Sequence, residues 1–287
     1  MKNKYEFAAA FGDIDPELTE KAFDYTGEKN ASQSKRRAVR MITVAAAVLI
    51  TVSAGIAVLG ATGKMWFHKE EVTDAYSFPE YAAEEPMDWN RVRDYYQVPE
   101  DEIKAMSTEG VIETCLDYPI FGISMVTSNT SIYAGFRETL DSFIGFKELF
   151  SRPDAGRKML EFYESIDFED VVDSSDTVFS LRVRYLEYIM AEEEILTQLT
   201  SEERSRLKAV CVENLADRVN KYRDRLPVDS LLLLTARLSY TDDPGFKAYV
   251  GEHPLLSGFL KDGWLLDFTE ADLQDLLDAL GVRQSEK

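Results

Sequence analysis

The sequence predicts an all-α protein, with a single transmembrane helix followed by an extracytoplasmic helical bundle or short irregular helical stack. Three observations carry that prediction. Met41 to Gly63 runs for 23 residues without a charged side chain; at about 1.5 Å of rise per residue it makes a helix of roughly 34 Å, enough for a hydrocarbon core of about 30 Å. Beyond residue 87, apolar residues recur at helical spacing and never in sustained alternation. Helix-start chemistry, a Ser, Thr or Asp followed by an acidic residue or by Pro, precedes segment after segment.

Residues 1–34 form the first division, read as a cytoplasmic segment. Asp15 as N-cap, Pro16 at the first helical position and Glu17 and Glu20 in the first turn start a short amphipathic helix. Phe11, Ile14, Leu18 and Phe23 give it apolar anchors that so short a segment cannot bury alone, which suits docking onto a protein partner. Thr26 to Ser34 is a polar tether.

Residues 35–67 hold the membrane span. Lys35, Arg36, Arg37 and Arg40 precede it and hold that end in the cytoplasm, while Trp66 and Phe67 follow it and suit the outer interface. The charged leader is too long for a signal-peptide n-region and the run too long for an h-region, so a retained anchor is expected. Ser53, Ala57 and Ala61 recur every four residues, a face that offers dimerisation through the span.

Residues 68–86 are acidic, with Pro79 and Pro86, and read as a stalk. Residues 87–281 read as helices throughout, with 282–287 as a tail. Pro99 to Glu102 opens a turn carrying Ile103 and Met106, and Ser107-Thr108-Glu109 starts the helix of Val111, Ile112, Cys115 and Leu116, which Asp117-Tyr118-Pro119 ends. Phe136 to Phe150 suggests a helix pair broken near Gly145, and Arg152-Pro153-Asp154 breaks the pattern again before Met159 to Ile166. Phe179 to Met190 leads into Glu192-Glu193-Glu194. Thr200 to Glu203 caps the longest helix, with Leu207, Cys211 and Leu215 on one face. Asp229 is expected to cap Leu231 to Leu238, Asp243-Pro244 and Pro254 to start two short helices, and Thr269 to Asp272 to form a capping box before a helix stopped at Gly281.

Two stretches resemble known proteins. Gly12-Asp13-Ile14-Asp15, Glu17-Leu18 and Glu20-Lys21-Ala22, with the basic cluster and the alanine-rich span, resemble single-pass membrane proteins of Gram-positive gut bacteria whose layout is similar to that of anti-sigma factors. The resemblance implies a cytoplasmic sigma factor as partner of the inner segment. Residues 1–40 hold no His or Cys, so they depart from the zinc-binding anti-sigma class. Met106 to Glu109, Glu113 to Pro119, Gly135-Phe136 and Glu148 to Arg152 resemble a family of uncharacterised helical proteins exported by gut bacteria, over about 98–240. That implies an extracytoplasmic helical domain and brings no activity with it.

Charge and chemistry narrow the function classes. Residues 65–287 carry 23 Lys and Arg against 45 Asp and Glu, a net charge of −22, which repels nucleic acid. Cys115 and Cys211 sit among apolar residues and are expected to be buried, with an oxidised pair as the alternative. The two histidines, His68 and His253, stand far apart in sequence, and neither a nucleophile motif, a zinc or calcium pattern nor a phosphate-cradling glycine loop is present. No catalytic, cofactor or metal residue is expected. The expectation is a binding or signalling protein of the cell membrane, with an extracytoplasmic ligand or partner; the alternatives are a passive surface scaffold or adhesin and an envelope hydrolase that uses a pair of carboxylates. Tyr76, Phe78, Tyr81, Trp89, Tyr95 and Tyr96 cluster along the stalk and either pack on the first helices or line a contact surface.

Overall fold

The computed structural model describes residues 74–79, 89–121, 132–168, 177–221, 228–263, 265 and 267–282, all within one compact unit spanning 62–287. Among them are thirteen α-helices and no strand. No helix among the described residues is long and apolar enough to cross a membrane. The run Met41–Gly63 lies outside the described residues, as do residues 1–34, the basic flank, Trp66 and Phe67.

The first half is built around a helix buried almost all round. Helices α1 (Trp89–Tyr95) and α2 (Glu100–Ala105) lead to α3 (Thr108–Leu116). The Ser107 side chain caps α3 by accepting from the Gly110 N–H at 3.0 Å. Every residue of α3 except Glu109 is buried, and Glu109 pairs with Lys158 at 2.9 Å. Around it pack α5 (Ile144–Ser151), α6 (Ala155–Ser165) and α7 (Thr177–Met190), with α4 (Ile132–Ser142) against α5. The break in the α4–α5 pair, expected near Gly145, falls at Phe143. Phe143 is extended at φ −107°, ψ 125°, and it drives a fully buried ring into a stack with Tyr118, centroids 4.0 Å apart. Burial of that ring fixes the corner.

In the second half the buried helix is α10 (Asp229–Asp242), whose leucine run Leu231–Leu234 faces neighbours on every side. It packs on α7, on α9 (Ser201–Lys221), on α11 (Pro244–Glu252) and on α12 (Pro254–Asp262). Short α8 (Glu193–Leu196) joins α7 to α9, and α13 (Glu270–Ala279) closes the domain. Expected caps are found at Thr200, whose N–H donates to Glu203 Oε2 at 2.8 Å, and at Asp243, which accepts from Gly245 and Phe246. Thr269 and Asp272 form the capping box of α13. Gly281 takes the left-handed conformation, φ 77°, and the Val282 N–H reaches back to the Leu277 carbonyl at 2.9 Å, a closure that needs a residue free of Cβ strain. Val282 is buried, so the packed domain extends one residue beyond the expected boundary.

Asp229 does not cap α10. Val228 holds the N-cap position, while the Asp229 carboxylate accepts from Tyr188 Oη at 2.5 Å and pairs with Arg184, both on α7. It is one of four ionic links made by α7 and its exit. Arg182 pairs with Glu113 and Asp117 of the α3 region. Glu187 pairs with Arg218 of α9 and accepts from Ser230 Oγ of α10 at 2.6 Å. Glu192 pairs with Arg137 of α4 and Arg237 of α10.

Residues 74–79, expected within a free stalk, lie on the helical domain. Asp74 accepts from the Ser107 N–H at 2.6 Å and from Ser107 Oγ at 3.0 Å, and the Tyr76 N–H donates to Thr114 Oγ1 at 2.9 Å. The Phe78 ring stands 6.1 Å from Tyr96 and 5.9 Å from Tyr118. Apolar burial and three hydrogen bonds hold the segment down.

Candidate functional site

The site is a groove of about 1550 Å³ bounded by α4, the α7–α8 junction, α10 and α12. Its floor is organised by Glu192, the N-cap residue of α8, which is 1% exposed. Oε1 accepts from Tyr133 Oη at 2.5 Å and from Arg237 Nη1 at 3.1 Å, and Oε2 accepts from Arg137. A buried carboxylate is stable only with such partners. Arg237 is held in turn by backbone: Nε and Nη2 donate to the Leu260 carbonyl at 3.0 and 2.8 Å, and Nη1 to the Ala191 carbonyl at 2.9 Å. Its guanidinium lies 4.7 Å from the centre of the Tyr133 ring. Burial, reinforced by the negative charge of Glu192, pushes the Tyr133 hydroxyl up to about 12, so it remains a donor at neutral pH.

The end of α12 is fixed to the same hub. Gly263 has φ 61°, and a Cβ there would stand 2.5 Å from Tyr133 Cβ, so both the left-handed turn and the close approach require glycine. The groove walls are thereby rigid at their base. Two arginines and one tyrosine thus converge on one glutamate and tie α4, α8 and α10 together at the floor.

The rim differs in character. Glu138, Asp141, Glu193, Glu194, Asp262 and Asp267 are exposed along it, against Arg137, Lys247 and Lys261. Tyr240 at 37% and Leu255 at 45% exposure also line the groove; with Tyr95 they are the exposed large hydrophobic side chains of the described domain. Lys247 Nζ lies 5.1 Å from the centre of the Tyr240 ring. Gly258 sits in mid-α12, where a Cβ would meet nothing within 4 Å. A helical glycine costs about 1 kcal/mol relative to alanine, and no neighbour within the domain requires it.

Other expected or excluded chemistry is placed as follows. His253 links α11 to α12, with Nδ1 2.7 Å from the Tyr249 carbonyl oxygen and its ring 4.1 Å from that of Tyr249. Cys115 and Cys211 are free, buried thiols. Among the described residues no group of three His, Cys, Asp or Glu side chains is placed to hold a metal ion. The partner-docking residues Phe11, Ile14, Leu18 and Phe23 and the interface residues Arg36, Arg37, Arg40, Trp66 and Phe67 lie outside the described residues. Of the stalk aromatics, Tyr76 and Phe78 pack against the core and Tyr96 belongs to it, whereas Tyr95 is 44% exposed; Tyr81 lies outside the described residues.

Sequence reading missed the groove entirely. Its one sequence signal is Arg237, a lone cation inside the otherwise uncharged run Leu231 to Tyr240, which demands a buried acceptor. Compared with family models, with curated proteins and with solved structures, the chain matches none.

Proposed function

We propose that the chain is a single-pass membrane protein with its N-terminus in the cytoplasm, presenting the acidic helical domain outside the cell to bind a ligand or partner through the groove. The observation that carries this reading is the uncharged run Met41–Gly63 behind Lys35, Arg36, Arg37 and Arg40, joined to a domain that offers a rigid groove with open apolar side chains. On the inner side, Phe11, Ile14, Leu18 and Phe23 are the anchors of a docking helix, and the anti-sigma-like layout suggests a sigma factor as its partner. Such a chain connects two compartments, in binding or in signalling. The engaged state of Glu192, with three side-chain donors on two oxygens, weighs against its use as the acid or base of an envelope hydrolase.

Topology is tested in intact cells with a maleimide that cannot cross the membrane. Asn30→Cys is expected to react only after lysis, and Glu252→Cys, at an exposed position, before it. Labelling of position 30 in intact cells would overturn the orientation. For the inner segment, the full chain in detergent is expected to retain a sigma factor that the Leu18→Asp/Phe23→Asp variant releases; equal retention by both sinks the docking role.

A further inference from the structure

Resting on the reading of the groove as a binding site, we propose that its occupant is a cationic polypeptide segment carrying a large apolar side chain. Size is the first argument: at about 1550 Å³, the groove exceeds the roughly 300–1,000 Å³ of small-molecule pockets and suits a length of chain. Charge is the second. The side chains that line the groove include seven carboxylates, Glu192 among them, against the four cations Arg137, Arg237, Lys247 and Lys261, a net charge of −3. A partner of opposite sign is both steered in and retained, whereas an anionic peptide, phosphate or acidic glycan is repelled.

Open apolar surface is the third argument. Among the described residues only Tyr95 besides Tyr240 and Leu255 is an exposed large hydrophobic, and an aromatic or aliphatic anchor from the partner would cover the two in the groove. Gly258 is the fourth. Its hydrogen faces open space on the groove wall, and glycine weakens the helix that carries it; the room it leaves is room for the incoming segment. A neutral saccharide would stack on Tyr240 but leave the net negative charge of the groove unmatched.

The test uses the full chain in neutral detergent micelles, titrated calorimetrically with three probes: a short Lys/Arg peptide with one central Trp, its counterpart with Glu at every basic position, and a neutral chitin hexasaccharide. The basic peptide is expected to bind, more weakly as salt is raised. Tyr240→Ala/Leu255→Ala and Gly258→Gln are each expected to lower its affinity by about tenfold or more. Gly258→Gln replaces glycine by a good helix former in open space, so it is expected to melt no lower than the parent, which separates a blocked groove from a damaged fold. Equal affinity of parent and both variants would show diffuse attraction to an acidic surface and overturn the proposal. Binding of the saccharide or the acidic peptide, lost in Gly258→Gln, would keep the groove as a binding site and overturn its cationic occupant. If none of the three binds, the occupant is wrong, while the anchored topology stands or falls on the labelling experiment.

Discussion

Arg218 of α9 and Glu187 of α7 form a salt bridge shielded from water, with the two residues 5% and 0% exposed. Arg218 Nη1 donates to Glu187 Oε2 at 3.2 Å, and Glu187 also accepts from Tyr163 Oη at 3.1 Å and Ser230 Oγ at 2.6 Å. Removing the cation alone strands a charge in the core, so Arg218→Met is expected to destabilise the domain by about 3–5 kcal/mol. The double variant Glu187→Met/Arg218→Met removes both charges and is expected to unfold at a higher urea concentration than Arg218→Met, although Tyr163 and Ser230 then lose an acceptor. Urea unfolding followed by circular dichroism decides it; a double variant weaker than the single would contradict the account.

Acid should loosen the α7–α10 contact at Asp229. Burial by itself would raise the pKa of this carboxyl, but the charge of Arg184 and the Tyr188 hydroxyl outweigh it and hold it below the usual carboxylate value. A depressed folded pKa contributes stability above the unfolded value, about 3.9, and that contribution fades as pH falls through the folded value. The urea midpoint is therefore expected to drop below about pH 4. Asp229→Asn should be less stable at neutral pH and show a smaller drop on acidification. An equal acid response in parent and variant would assign the loss to other carboxylates.

Both cysteines should be inert while the domain is folded. Burial pushes the Cys115 and Cys211 thiols well above their ordinary range, and the negative charge of Glu187 adds to the rise at Cys211. Only the thiolate reacts, so neither is expected to take up iodoacetamide at mildly alkaline pH until denaturant is added. Rapid modification of either in the native chain would show that its helix opens locally.

Position 110 reads out the docked segment 74–79. A Cβ on Gly110 would stand 2.4 Å from Asp74 Oδ1, so Gly110→Ala is expected to displace the Asp74 carboxylate from Ser107 and to speed proteolysis near residues 74–79. In an Asp74→Ala background the same substitution meets no carboxylate and should stabilise α3 by up to about 1 kcal/mol through helix propensity. Opposite signs in the two backgrounds are the expected outcome; the same sign in both would exclude the clash.

Much of the fold was legible because helix ends are written locally. Ser107, Thr200, Asp243 and Thr269 act within a few residues of themselves, and each is found as a cap or capping partner. The groove was not legible because its parts are distant in sequence. Glu192 takes one partner 55 residues earlier, Arg137, and another 45 residues later, Arg237, and nothing local distinguishes it from exposed Glu193 and Glu194. Asp229 misled for a related reason: a carboxylate at a helix start has a local use, and Arg184 with Tyr188 outbid it. The break expected near Gly145 falls two residues earlier, at Phe143, whose ring is buried against Tyr118.

The four ionic links of α7 also determine what this helix is unable to do. Leucine surfaces are forgiving, and two helices packed through them can exchange one turn for the next, a shift of about 5.4 Å. Along α7 and its exit the sign of the linking groups runs plus, plus, minus, minus at Arg182, Arg184, Glu187 and Glu192, each addressed to an opposite charge on α3, α10, α9 or α4. Sliding by a turn would part several pairs at once and leave buried charges without partners. The alignment of the helices is thus discrete, and a groove whose floor ends in one of those links inherits a single shape before any ligand arrives.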